Sequence, residues 1–129
     1  MKYTVRAGDT IFKLAVLFYY NWDKWPFLYY ANEKVIGDDP MILTTGITLE
    51  VSVPLMNDEI HIAVNGDTSI SLSIKYYGIP YYYRLIEEAN NWPAELIIGN
   101  SYKIPLLCNR IEYDAAADLR RELHVEFDR

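Results

Sequence analysis

Apolar and polar positions along this chain fall into short alternating stretches and short helical stretches, and the same succession occurs twice. Tyr3 to Arg6 reads as a short strand ended by a turn at Gly8-Asp9. Ile11, Leu14, Ala15 and Phe18 then recur at i, i+3, i+4 and i+7, the core face of a helix that Asp9 or Thr10 can cap. Asn21 and Trp22 connect to a second helix capped by Asp23, with Pro26 in its first turn, carrying Trp25, Phe27, Leu28 and Tyr29 and ending near Ala31-Asn32. A loop follows from Val35 to Thr45, punctuated by Gly37 and Asp38-Asp39-Pro40 and closed by Gly46. Ile47, Leu49, Val51 and Val53 then alternate with Thr48, Glu50 and Ser52, which predicts a half-buried strand. The unit is βααβ.

After the polar linker Met56-Asn57-Asp58-Glu59 the pattern restarts. A shift of fifty-eight positions lays Tyr3 on His61, Gly8-Asp9-Thr10 on Gly66-Asp67-Thr68, Leu14 on Leu72, Phe18 on Tyr76 and Ala31-Asn32 on Ala89-Asn90. Beyond that a shift of fifty-three aligns Pro40 with Pro93, Leu43 with Leu96, Gly46 with Gly99 and Val51 with Ile104, so the length change falls in the loop. The expected class is α+β: a module over residues 1–55, a linker over 56–59, a second module over 60–107 and a helical tail over 108–129. In that tail Asp114 to Glu122 reads as a short helix capped by Asp114, which either packs across a repeat or reaches a partner.

The first helix is apolar on its other face too, through Phe12, Val16, Leu17 and Tyr20. A helix apolar all round is buried all round. These four residues are therefore a candidate protein interface, either in an intermolecular or inter-repeat contact or within a tightly wrapped repeat pair. The second copy has Ser71, Ser73 and Lys75 where the first has Lys13, Ala15 and Leu17, and reads as an ordinary surface helix.

Composition narrows the partners. Units of about 50 residues bury little surface and are marginal alone, but 12 Tyr, 4 Phe and 3 Trp supply much apolar area per residue. A net charge of -6 argues against nucleic acid or an anionic membrane as partner. The single Cys108 excludes an intramolecular disulfide and a Cys-cluster metal site, and its role stays open. Lys2 and Arg6 before the apolar run Ile11 to Tyr20 imitate a signal peptide, but Lys13 interrupts the run and no small-residue cleavage site follows. No stretch reaches the roughly 18 apolar residues of a spanning helix.

Candidate chemistry is sparse. His61 and His124 have no nucleophile or base beside them in sequence, and a structural or solvent-exposed role is expected for both. Glu87 and Glu88, adjacent on a helix, diverge by about 100° and read as a solvated face. Gly8 and Gly66 are single glycines, not a phosphate-cradling loop. The aromatic residues of the second helices read as core at helical spacing. The expectation is a non-enzyme without cofactor or metal.

The succession Tyr3-Thr4-Val5-Arg6-Ala7-Gly8-Asp9-Thr10-Ile11, an apolar helix, a second helix ending in Ala-Asn, a loop and a strand ending at Pro54 resembles a LysM domain, and His61 to Pro105 resembles a second one. The resemblance implies two strands packed on two helices, and a shallow groove for N-acetylglucosamine polymers such as peptidoglycan. Mapped here, that groove sets Gly8, Asp9, Thr10 and Ile11 against Met41, Ile42, Leu43 and Thr44, and Gly66, Asp67, Thr68 and Ser69 against Glu95, Leu96, Ile97 and Ile98. Thr45-Gly46 and Ile98-Gly99 stand where glycan-binding members often carry Pro-Gly. The chain is most similar to the small LysM-bearing tail and baseplate proteins of contractile phages and related injection systems. That likeness implies a structural adaptor contacting other protein subunits, located in a virion or assembled in the cytoplasm, with peptidoglycan binding as the alternative.

Overall fold

The computed structural model describes residues 1–129. In chain order its elements are β1 (Lys2–Thr4), α1 (Ile11–Tyr19), a 3-10 turn (Trp22–Lys24), α2 (Trp25–Ala31), α3 (Glu33–Ile36), β2 (Thr48–Glu50), β3 (Glu59–Ile62), α4 (Ser69–Tyr77), a 3-10 turn (Pro80–Tyr82), α5 (Tyr83–Ala89), β4 (Ser101–Ile104) and α6 (Arg110–Glu122). The class is α+β. Two compact units result: unit 1 comprises Met1–Val53 with Arg110–Arg129, and unit 2 comprises Pro54–Asn109.

In unit 1, β1 and β2 pair antiparallel with Tyr3 opposite Leu49, and in unit 2, β3 and β4 pair antiparallel with His61 opposite Tyr102. The helix starts follow from the repeated turn, with one correction. Thr10 and Thr68, and not the preceding aspartates, are the N-caps: Thr10 Oγ1 accepts from Lys13 N–H at 3.1 Å, and Thr68 and Ser71 form a reciprocal capping box. Asp9 accepts instead from the Tyr3 hydroxyl (2.6 Å) and Arg6 N–H (2.8 Å), which ties the turn back to its own strand. Helix α1 ends on Tyr20, held at φ 61° with its N–H on the Val16 carbonyl; α4 ends on Gly78 at φ 81° in the same role. Left-handed backbone is open to glycine and costs a side-chain-bearing residue about 1 kcal/mol.

Helix α2 begins after a 3-10 turn capped by Asn21, whose Oδ1 accepts from Asp23 N–H. It ends at Asn32, whose side chain does a second job. Nδ2 donates to the Leu28 and Glu50 carbonyls, and Oδ1 accepts from Glu50 N–H at 2.7 Å. Asn90 repeats the arrangement in unit 2 with Ile86 and both main-chain groups of Lys103. In each sheet the second helix thus reads the backbone of the closing strand through one asparagine amide, taking the place of a third strand.

The C-terminal segment is where the structure departs most from expectation. Its helix starts at Arg110 rather than Asp114, and Asp114 is an i+4 ion-pair partner of Arg110. Cys108 and Asn109 belong to unit 2, while α6 packs on α1 in unit 1. Leu17, one of the four residues of the candidate protein interface, is buried within unit 1, and its carbonyl accepts from Arg120 Nη1 at 2.7 Å. Arg120 also lies 4.7 Å over the Phe127 ring, which packs 5.4 Å from Phe18. The guanidinium therefore answers a last-turn carbonyl of α1 while partly desolvated, and burial lowers its pKa from the ordinary arginine value. Past α6 the chain comes back so that Asp128 bridges antiparallel to Lys2, its N–H on the Lys2 carbonyl (2.7 Å) and its carboxylate on the Thr4 hydroxyl (2.6 Å).

Two stability outcomes follow. Asn32→Ala should cost about 3 kcal/mol in urea unfolding, because the buried Leu28 carbonyl and the part-buried main-chain groups of Glu50 lose their partner. Asn32→Asp should cost at least as much, since its carboxylate faces those same two carbonyls. Tyr20→Gly should raise stability by up to about 1 kcal/mol by relieving the left-handed residue, as Gly78 already does in the other unit.

Candidate functional site

The two loops of each expected groove lie at one end of the unit's sheet, because antiparallel pairing returns the closing strand to where the first strand leaves. In unit 1, Val5 N–H donates to the Ile47 carbonyl and Gly46 N–H to the Val5 carbonyl; Ala63 bonds Asn100 and Gly99 in the same way in unit 2. Gly8 and Gly66 take φ of 86° and 89°, which lets the chain turn into the helix.

The two grooves are not equivalent. In unit 2, Asp67, Thr68 and Ser69 come together with Glu95 and Leu96 around a cleft of about 290 Å³, completed by Glu87, Pro93 and Ala94. Gly66 is not among its lining residues, nor are Ile97 and Ile98, which are exposed beside it. Glu87, read from sequence as part of a solvated face, lines this cleft. Its counterpart in unit 1 at the fifty-eight-residue shift is Tyr29, which is buried and donates its hydroxyl to the Gly37 carbonyl at 2.7 Å. The signal for Glu87 was that one change, a carboxylate where the repeat has a core aromatic, next to a loop five residues shorter.

In unit 1 the corresponding residues divide between structure and surface. Ile11 is wholly buried, Asp9 is committed to Tyr3 and Arg6 with Lys13 Nζ at 3.5 Å, and Thr10 is the cap. Met41 and Ile42 are exposed, as is Thr44, and Leu43 is half-buried. A more voluminous open cleft of about 590 Å³ lies elsewhere, over Lys2, Tyr30, Asn32, Lys34 and Glu50 beside the asparagine clamp. Its Asn32 amide already has its partners, and its rim mixes both charge signs.

His61 is buried and holds together Asp67 and Tyr76; the repeat alignment places the three in register with Tyr3, Asp9 and Phe18. Its Nε2 lies 2.7 Å from Asp67 Oδ2 and its Nδ1 2.7 Å from the Tyr76 hydroxyl. Asp67 Oδ2 also accepts from Val64 N–H at 2.9 Å. The Val64 N–H first, and the His61 ring next, hold the Asp67 carboxyl below the usual carboxylate range. In unit 1 burial, and then the bond to Asp9, pushes the Tyr3 phenol well above its ordinary value. His61 thus supports the turn that forms one wall of the cleft, in line with the structural role expected for it.

What the unit 2 cleft offers chemically is acceptors, the Glu87 and Glu95 carboxylates and the Ser69 hydroxyl, with the apolar surface of Pro93, Ala94 and Leu96; the Thr68 oxygens already serve the helix cap. Such a lining suits a ligand with hydroxyl or amide donors and an apolar face.

The expected interface on α1 is largely taken up within unit 1. Leu17 is buried beneath α6; Phe12 is half-buried edge-on to Trp22 (5.9 Å) and Trp25 (6.2 Å); Val16 is half-buried and Tyr20 is exposed. The C-terminal segment supplies the burial that this helix required. No group of three or more His, Cys, Asp or Glu side chains is placed to hold a metal ion, and no helix is long and apolar enough to cross a membrane. No protein-family model matches the chain, and no curated protein matches it.

The depressed Asp67 carboxyl implies a sign for acid stability. Its stabilising contribution is complete above the ordinary aspartate range and is lost as pH falls through the lower folded value. Asp67→Asn should therefore flatten the acid limb of the unfolding profile of unit 2, and carboxyl-carbon NMR should find Asp67 titrating below a normal aspartate.

Proposed function

We propose that the chain is a non-catalytic structural adaptor built from two LysM-type modules, joining neighbouring protein subunits in a contractile phage tail, a baseplate or a related injection particle. The observation that carries this reading is an apolar stripe in unit 2. Ile60, Ile62 and Val64 alternate along and just beyond β3, and are 64%, 52% and 58% exposed. Contiguous apolar side chains on a strand of this kind mark a protein contact in a soluble domain. The stripe replaces α1 as the basis for a protein contact. The reading also draws on the sequence resemblance to baseplate proteins.

A second reading, peptidoglycan binding, is favoured by the unit 2 cleft, where both expected groove loops meet. Its acceptors and apolar surface fit an N-acetylated sugar, and one such site binds weakly.

Sedimentation of sheathed particles from a host lysate tests the first reading: the chain should travel with the particles and remain after a salt wash. Its absence from purified particles overturns the adaptor role. Pull-down on insoluble peptidoglycan tests the second, which is lost if the chain stays in the supernatant at low and moderate salt.

A further inference from the structure

Each two-stranded sheet has two outer edges, and in this chain three of the four are met by another part of the chain at one outward residue. The pairing pattern identifies which main-chain groups face outward. Met1, Val5, Ile47 and Val51 bond across the first sheet, so Lys2, Thr4, Thr48 and Glu50 direct their N–H and C=O groups away from it. Glu50 is met by the Asn32 amide, and the Lys2 carbonyl by the Asp128 N–H. In the second sheet Ala63 bonds Asn100 and Gly99, so Ile60, Ile62, Ser101 and Lys103 face outward. Lys103 is met by the Asn90 amide. The edge at Ile60 and Ile62 belongs to a two-stranded sheet, and no further strand or bridge adjoins it.

That edge also differs in its side chains. At the fifty-eight-residue shift Ile60, Ile62 and Val64 correspond to Lys2, Thr4 and Arg6. Unit 1 thus carries Lys2 on, and Arg6 just beyond, its first strand, charges that discourage edge pairing, and covers the edge with its own C-terminal segment; unit 2 has apolar residues at the matching positions, its one β3 charge being Glu59 at the strand's start, and no covering segment.

We propose that a second copy of this chain pairs along the open edge of β3, in a two-fold antiparallel contact that sets Ile60 of each copy opposite Ile62 of the other. The inference rests on the reading of unit 2 as a protein-contact module and names its partner. In this register Ile60 and Ile62 exchange both main-chain hydrogen bonds across the axis, and their β-branched side chains lie side by side on one face. Glu59 falls opposite Ala63, so the two Glu59 carboxylates are not set against each other, and His61, held by Asp67, faces its own copy at the axis.

The occupant is a second copy because the edge calls for an extended strand with uncharged apolar side chains at every second position. β3 has that pattern, whereas the outward positions of the other strands are Lys2 and Thr4, Thr48 and Glu50, and Ser101 and Lys103. A contact of one strand pair is small and gives a weak, closed dimer.

Sedimentation velocity over a dilution series, with hydrogen exchange read at the Ile60 and Ile62 amides, tests the pairing on the full chain. The apparent mass should climb from one chain toward two as concentration rises, and exchange at those amides should slow at least tenfold between the dilute and concentrated samples. The double variant Ile60→Lys/Ile62→Lys places charge at exposed positions of the edge. It should remain monomeric with unchanged far-UV circular dichroism and fast exchange at every concentration, while Ile60→Thr/Ile62→Thr should retain part of the association.

The proposal is overturned by a monomer at millimolar concentration with fast exchange at both amides, or by a dimer that survives the lysine variant. A chain that is monomeric in solution yet travels with sheathed particles would exclude the self-pairing and leave the adaptor reading standing. A dimer that never accompanies a particle would do the reverse.

Discussion

A two-stranded sheet of three or four residues per strand makes too few hydrogen bonds to persist alone and leaves outward polar groups on both sides. Everything else in each unit depends on how that shortage is met. Asn32 and Asn90 meet it with a single side chain that ends a helix and pairs with both main-chain groups of the closing strand. One amide therefore fixes the distance between the second helix and the sheet, and the apolar residues between them, Leu28 and Leu49 in unit 1, Ile86 and Ile104 in unit 2, can pack to complete burial.

The two units solve the remaining edge differently, and the difference shows in the triad beneath the first turn. In unit 1, Tyr3 bonds Asp9 and packs edge-on to Phe18, at 5.3 Å between ring centroids, under the cover of Phe127. In unit 2, His61 bonds both Asp67 and Tyr76, so the aligned position is a polar relay with a half-buried tyrosine. Where a neighbour excludes water, an aromatic pair serves; where water has access, hydrogen bonds to hydroxyl and imidazole serve. The C-terminal segment is thus part of the architecture of unit 1, and its aromatic and arginine contacts with α1 explain why that helix carries apolar residues on so much of its circumference.

The same divergence bears on function. The Gly-Asp-Thr turn is committed to holding strand and helix together in both units, through the aspartate to the strand and the threonine to the helix. Its recurrence speaks for architecture more than for a ligand. What distinguishes unit 2 is a carboxylate at Glu87 where unit 1 has buried Tyr29, a shorter loop, and a cleft where those meet.

Much of this was legible in the chain. Local signals act over a few residues, so the spacing of Ile11, Leu14, Ala15 and Phe18 located a helix, the alternation around Leu49 and Val51 a strand, and the fifty-eight-residue shift the repeat itself. The α+β class followed from these, while the facing loops of the second groove came only from the family resemblance. What the tertiary structure alone decided were choices among long-range partners with equal local merit. Thr10 was one of two possible caps, and the Asp9 carboxylate turned out to serve Tyr3 and Arg6. The apolar surface of α1 required cover without saying whose, and the C-terminal segment, more than ninety residues away in sequence, supplies it through Arg120 of α6 and Phe127 beyond that helix. Periodicity records that a face is buried; only folding in three dimensions chooses what buries it, because hydrophobic burial is non-directional and accepts any apolar partner within reach.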